Sequence, residues 1–266
     1  MAGKETPRQK MINMMYLIFI AMLALNLSKQ ILQSFGVMNA ELTDTNKELE
    51  VRNDQFMQGL EEKAQEQADK YLDLKLKADS IRTISTTFYD FLEATKEAAY
   101  LKAEEKGTKR TEYGKMDLTS HFTEIYFDGE EYKEGGKEFI QEMDNFRDLF
   151  VKIASSDEKL KSIAEEVADK FSTDDIIDSD GKSRKYLDYH YKEMPLIVGI
   201  TKLSLLQSTL QNIEAQLLST MLEGKLKIEA SLTNFDAIVV PDKASYLPNE
   251  NFTGKIILGK KDKTLK

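Results

Sequence analysis

Arg8 and Asn26 stand near the two ends of an apolar run, and both are groups that do chemistry in such surroundings. The stretch reads "TPRQKMINMMYLIFIAMLALNLSKQ", residues 6–30, and its 17 residues Met11–Leu27 carry no charge and are interrupted by Asn13 and Asn26. At about 1.5 Å per residue a helix over this run is about 25 Å long, slightly short of the ~30 Å hydrocarbon core of a bilayer. Extra turns at each end, with Lys10 and Lys29 reaching outward, complete a single transmembrane helix over residues 7–35. An arginine at the edge of such a span can pair with a carboxylate on a neighbouring span and lower its proton affinity. It can equally be one more positive residue that sets topology, with Asn26 a polar group at the interface. These residues alone leave both readings open.

The local sequence fixes how the span begins. Thr6 can cap it, Pro7 suits the first helical position, and Gln9 completes a Thr-x-x-Gln capping box. Arg8 then sits in the first turn, where a cation opposes the helix dipole at a cost of about 0.3–1 kcal/mol. Asn26 follows Arg8 by 18 residues. At about 3.6 residues per turn it falls on the same face. Ile12, Met15 and Phe19 lie between them, and Tyr16 is the semi-polar residue within the run. The opposite face carries Leu17, Ala21, Ala24 and Ser28, and Ala24-x-x-x-Ser28 is a small-residue pair suited to close packing of a like helix.

A cleaved signal peptide is the rival reading of this segment. It would show a shorter apolar region followed by an Ala-x-Ala pattern, whereas Ala21 and Ala24 are three apart and "ILQSFGVMNAEL" continues in helix-compatible residues. The segment therefore reads as an uncleaved anchor. Lys4, Arg8 and Lys10 precede it, and Glu41, Asp44 and Glu48 follow it. The positive-inside rule then leaves residues 1–6 in the cytoplasm and the body of the chain across the membrane.

Elsewhere the chemistry is sparse. The only histidines are His121 and His190; "HFTE" could place His121 and Glu124 on one helix face, but two ligands fall short of a zinc site, and each histidine reads as a surface or packing residue. "DDIIDSDGK" resembles a calcium loop, yet with Gly181 in the sixth position Ile176 and Leu187 occupy the first and twelfth, where acidic ligands are required. There is no cysteine, hence no disulfide or thiolate site, and no P-loop, dinucleotide fingerprint or nucleophile elbow. Neither a catalytic residue nor a metal or cofactor is expected. Residues 1–29 carry a net +3, so the remainder carries −12 in a chain of −9. A body this acidic is a poor nucleic-acid binder.

The elements that position these residues are mainly helical. No proline falls between Pro7 and Pro195. Phe56, Leu60, Ala64, Tyr71, Leu74, Ala78, Ile81, Phe88 and Leu92 predict one face of a long helix, which can continue directly from the span with Gly36 its only weak point. Residues 117–135 fit a short helix, a strand or a hairpin, and residues 137–154 predict a helix. Ser155 and Glu158 form a Ser-x-x-Glu box that predicts a further helix to about Phe171. After Pro195 comes the most apolar helix of the body, with Leu196, Ile200, Leu203, Leu206, Leu210, Ile213, Leu217 and Met221 in its stripe and Gly224 closing it. Residues 36–224 thus predict an all-α bundle. From residue 225 the period changes, and "KLKIEASL", "DAIVVPD" and "NFTGKIILG" read as the first strands of a truncated β-rich, sandwich-like domain over residues 225–266. Two or three strands are not stable alone, so the natural protein is expected to be longer.

The opening run "KETPRQKMINMMYLIFIAMLALNLSKQILQSFGVMN", residues 4–39, closely resembles the N-terminus of the GldM/PorM family, inner-membrane and periplasmic motor subunits of type IX secretion and gliding. "YLDYHYKEMPLIVGITKLSLLQSTLQNIEAQLLSTMLEG" is similar to the last helix of that family's first periplasmic domain, and "SYLPNENFTGKIILGK" to the opening of its β-rich second domain. The resemblance implies a homodimer whose two spans sit inside a ring of GldL-like multi-spanning subunits. Proton flow through the ring would turn the dimer, and the periplasmic part would carry that motion to outer-membrane-associated partners through later domains. It implies a coupling role for Arg8, facing a protonatable ring carboxylate, and for Tyr16. Asn26 is a further candidate ring contact, and Ala21, Ala24 and Ser28 would hold the two helices together. Gln30 stands where the family pattern leads one to expect an acidic residue. The alternatives are a passive tether, which would tolerate any span of equal length, and a sensor, which would normally need a second span.

Overall fold

The computed structural model describes residues 6–229, 235–241 and 254–260, with side chains described as far as residue 223. Its first helix, α1 (Pro7–Glu66), is 60 residues long. Thr6 caps it: its Oγ1 accepts the Gln9 N–H at 3.3 Å. The helix runs through Gly36 without interruption, so the expected weak point lies within one rod.

The rod ends at Gln67, where the chain reverses into α2 (Ala68–Glu105). Lys75 Nζ pairs with Glu61 at 3.0 Å, and Asn39 Nδ2 donates to Tyr100 OH at 2.8 Å, so α1 and α2 run antiparallel. The single long helix expected over residues 56–92 is therefore two helices. The break falls in the seven-residue step between Ala64 and Tyr71, and the Gln67 carbonyl accepts the N–H groups of Lys70 and Tyr71 there. Periodicity crosses the turn because both arms bury their stripes in the same core.

That core is completed by α7 (Leu196–Glu229), parallel to α1: Thr201 Oγ1 donates to the Phe35 carbonyl at 3.1 Å, and Asn53 meets Gln211 further along. The Pro195 carbonyl accepts the Val198 and Gly199 N–H groups at the helix start. The helix continues past Gly224, where a stop was expected, to Glu229. The first five residues of "KLKIEASL" are thus helical and not a strand; residues 230–232 lie outside the described ones. A glycine inside a helix costs only about 1 kcal/mol relative to alanine, so it need not end one that is otherwise continuous.

Between α2 and α7 the chain forms α3 (Ser120–Tyr126), a hairpin of β1 (Phe127–Asp128) and β2 (Glu131–Tyr132), α4 (Glu134–Ala154), α5 (Lys161–Lys170), a hairpin of β3 (Ile176–Ile177) and β4 (Ser183–Arg184), and α6 (Tyr186–Tyr191). The ambiguous stretch 117–135 contains both a helix and a hairpin. The Ser155–Glu158 box does not form. Ser155 instead ends α4, its N–H donating to the Val151 carbonyl at 2.9 Å, and a corner of turns brings Leu160 into the core before α5 starts. α4 packs on α2 through stacked rings, Phe88 and Phe146 lying 5.0 Å apart, with Phe171 edge-on to Phe146 at 4.9 Å. In the β3–β4 hairpin Asp178 Oδ1 accepts the N–H groups of Asp180 and Lys182, both at 2.9 Å. The stretch resembling a calcium loop is thus a turn tied by an aspartate. β5 (Phe235–Pro241) and β6 (Gly254–Lys260) pair antiparallel from Phe235↔Lys260 to Pro241↔Gly254.

Candidate functional site

The site has two parts, an uncovered length of α1 and the collar through which that helix enters the bundle. Every residue from Thr6 to Ile31 is exposed, and α1 is the one helix among the described residues long and apolar enough to cross a membrane. Arg8, Tyr16, Asn26, Ala21, Ala24 and Ser28 all lie on this uncovered length, and no other described element reaches them. Only half of the expected capping box is present. Gln9 Nε2 donates to Asn13 Oδ1 at 3.1 Å, one turn on, and not back to Thr6. Ile12, Met15, Tyr16 and Phe19 frame a shallow hollow, so Tyr16 borders the face that Arg8 shares with Ile12, Met15 and Phe19.

Burial begins at Leu32. A single 3-10 turn, Tyr113–Lys115, presses on α1 just there. Gly36 leaves the space that the Tyr113 ring fills; a Cβ at that position would lie 1.9 Å from the ring's Cγ. One turn further on, Asn39 is held on both its amide atoms. Its Nδ2 donates to Tyr100 OH, and its Oδ1 accepts from Ser204 Oγ at 2.7 Å. Burial pushes the Tyr100 phenol up, so it stays protonated. Arg110 lies over the Tyr100 ring, 5.2 Å from its centroid, and is itself held by both oxygens of Glu97 and by Glu104. The helix that leaves the bundle is thus gripped by α2, the 3-10 turn and α7 at one level.

Below the collar a polar seam continues along α1 and α7. Asn39, Asn46 and Asn53 are buried at seven-residue intervals on α1, and Thr201, Ser204, Gln207, Ser208, Gln211 and Glu214 are buried on α7. Asn46 Nδ2 donates to the Ser204 carbonyl at 3.2 Å. Lys96, buried on α2, donates to Gln207 Oε1 and Glu93, both at 2.9 Å. Arg82 bridges Glu214, at 2.8 Å, and Asp54. Burial raises the Glu214 pKa, with the Arg82 hydrogen bond and charge opposing the rise. The apolar stripe predicted for α7, its leucines, isoleucines and Met221, does not include this seam. The recurrence Leu32, Asn39, Asn46, Asn53, Leu60 was the signal that could have found it.

The histidines do not meet. His121 is buried in α3, its ring edge-on to Phe122 at 5.0 Å. His190 accepts from Lys202, whose Nζ lies 3.3 Å from its Nδ1 and 2.9 Å from its carbonyl oxygen. Among the described residues no group of three or more His, Cys, Asp or Glu side chains is placed to hold a metal ion.

The GldM N-terminal domain matches this chain over residues 30–224, from the collar almost to the end of α7. The chain belongs to the GldM family. A comparison with curated proteins returns no match. The GldM match begins at Gln30, so it covers the bundle and the collar, while the uncovered length of α1 precedes it. The exposed rod enters the bundle as one unbroken helix, and the collar and seam join it to α2 and α7.

Proposed function

We propose that this GldM-family chain is a non-enzymatic subunit of an inner-membrane motor, driven by the proton-motive force, that powers type IX protein secretion and gliding. Residues 1–6 lie in the cytoplasm, residues 7–35 cross the membrane and residues 36–224 form a periplasmic bundle. The chain acts as a homodimer, with Ala21, Ala24 and Ser28 packing the two spans together. GldL-like multi-spanning subunits surround the pair, and later domains reach outer-membrane-associated partners. Arg8, supported by Tyr16 and Asn26, attracts a partner carboxylate and lowers its proton affinity. Protonation releases that attraction, and repeated release biases rotation of the span.

The observation that carries this reading is the continuity of α1 from Pro7 to Glu66. A tether needs only a length of apolar helix, whereas transmission needs a span that cannot turn independently of the body. The test is Arg8→Ala in the full-length protein, restored to its envelope with its neighbours, scoring recovery of the complex and energised secretion. Assembly without secretion is the expected result. Survival of both would reduce Arg8 to a topology signal and leave the chain a tether.

A further inference from the structure

We propose that the groove between α2 and α4 docks an amphipathic helical segment of another protein, one whose apolar stripe ends in a lysine or arginine. The groove is remote from the uncovered length of α1. Arg82 of α2, just before it, pairs with Asp54 of α1, and Asp54 follows Leu32 by 22 residues. At about 1.5 Å per residue that is about 33 Å along the rod from the point where burial begins. The inference therefore goes beyond the motor reading and does not depend on it.

The two helices run antiparallel, Phe88 stacking on Phe146 and Phe91 lying 5.9 Å from Phe139. Each buries one stripe, with Ile81, Ser85, Phe88 and Leu92 on α2 and Met143, Phe146, Phe150 and Ala154 on α4. Ile84 and Leu149 each stand one residue before a member of that stripe, about 100° round the helix from it. There they line one open groove of about 450 Å³, over the buried Phe88 and Phe146 rings. Leu149 is exposed and Ile84 half-buried. A furrow between two helices, with apolar side chains from both, is what the apolar face of a third helix fills.

The rim decides which helix fits. Glu142 borders the groove and Glu138 stands one turn earlier on α4, and neither enters a hydrogen bond or ion pair among the described residues. Arg147 is taken by Asp144 and Asp148 and does not neutralise them. Lys137, five residues before Glu142, falls on another side of the helix. Asn145 also lines the groove with its amide unspent, whereas the Thr87 hydroxyl donates to the Thr83 carbonyl at 3.0 Å. At the far end Lys152 follows Leu149 by one turn and is exposed. The groove thus runs from two carboxylates, over an apolar floor, to an amine. A helix with a cation at one end of its apolar stripe matches that order, and one with an acidic residue there is repelled.

The test is photo-crosslinking in the full-length protein in its own envelope. The probe p-benzoylphenylalanine replaces Leu149 or, as a control, Glu165 on α5; both positions are exposed, and thermal melts check that the fold is kept. Adducts are digested and the attached peptide is sequenced by mass spectrometry. A peptide of another protein is expected at 149 and not at 165. It should carry apolar residues at three- and four-residue spacing, with a lysine or arginine within one turn of them. Glu138→Lys with Glu142→Lys should lower the yield severalfold, and exchange of the captured peptide's cation for glutamate should restore it. Capture of a second copy of this chain alone overturns the proposal, as does a peptide without the stripe or the cation. A yield that ignores the two substitutions overturns it too, and so does labelling at 149 no stronger than at 165.

Discussion

Asn53 binds Gln211 twice, its Nδ2 donating to the side-chain carbonyl at 2.8 Å and to the backbone carbonyl at 3.0 Å. Seven residues earlier Asn46 makes the corresponding backbone contact to Ser204, seven residues before Gln211. An apolar seam tolerates small slips, because any apolar neighbour serves another. A buried amide does not, since a slipped register leaves it desolvated without a partner. The ladder therefore fixes how α1 stands against α7.

Replacing Asn46 and Asn53 together by leucine should leave far-UV helicity intact and the melting temperature equal or higher. Amide exchange along α7 should accelerate and near-UV ellipticity should fall, as the pair of helices loses its unique register. Unchanged exchange would show that apolar packing alone sets it.

Gly36→Ala should destabilise the bundle by about 1–3 kcal/mol, because the added methyl overlaps the Tyr113 ring and the turn must move away. Chemical denaturation of G36A, Y113A and the double variant measures this. The double variant should be no less stable than Y113A alone. Full additivity would contradict the contact.

Arg82→Met leaves Glu214 buried without its cation and should cost about 3–5 kcal/mol at neutral pH. Burial raises the folded pKa of Glu214 above its ordinary value of 4.5, so the folded state binds the proton more tightly than the unfolded one. The variant's stability should therefore be highest below pH 4.5 and fall as pH rises through the folded pKa. Urea midpoints at acidic and neutral pH, with Arg82→Met/Glu214→Gln as the control, test the sign.

His190 carries the opposite dependence. Burial, with the Lys202 charge beside it, depresses its pKa from 6.5 to about 4. The unfolded chain binds this proton first, so stability is full above pH 6.5 and is lost as pH falls towards 4. The loss should be about 1–2 kcal/mol once solvent screening of the partly exposed ring is allowed for. His190→Gln should flatten that part of the profile in thermal melts between pH 7 and 4, and an unaltered slope would assign it to other groups.

A short glycine–serine insertion between Lys29 and Gln30 tests transmission directly. The bundle should melt as before, since burial begins only at Leu32, and the complex should assemble. Energised secretion should stop. Secretion at the wild-type rate would mean that no torque passes along α1.

By itself the sequence determined the apolar run, its start at Thr6 and Pro7, the helical body and the apolar stripes, because each depends on contacts within a few residues. Resemblance of residues 4–39 carried the family before any geometry was known, and the match over residues 30–224 shows it. Only the tertiary structure decided that α1 folds back at Gln67, that Ser155 ends a helix where it was expected to begin one, and that Gly224 does not stop α7. A cap or a turn residue offers a local option, and burial elsewhere decides whether it is taken. The same holds for the collar and seam. Gly36 looks like a weakness until Tyr113, 77 residues away, fills its space, and three asparagines look like surface residues until Tyr100, Ser204 and Gln211 arrive to receive them.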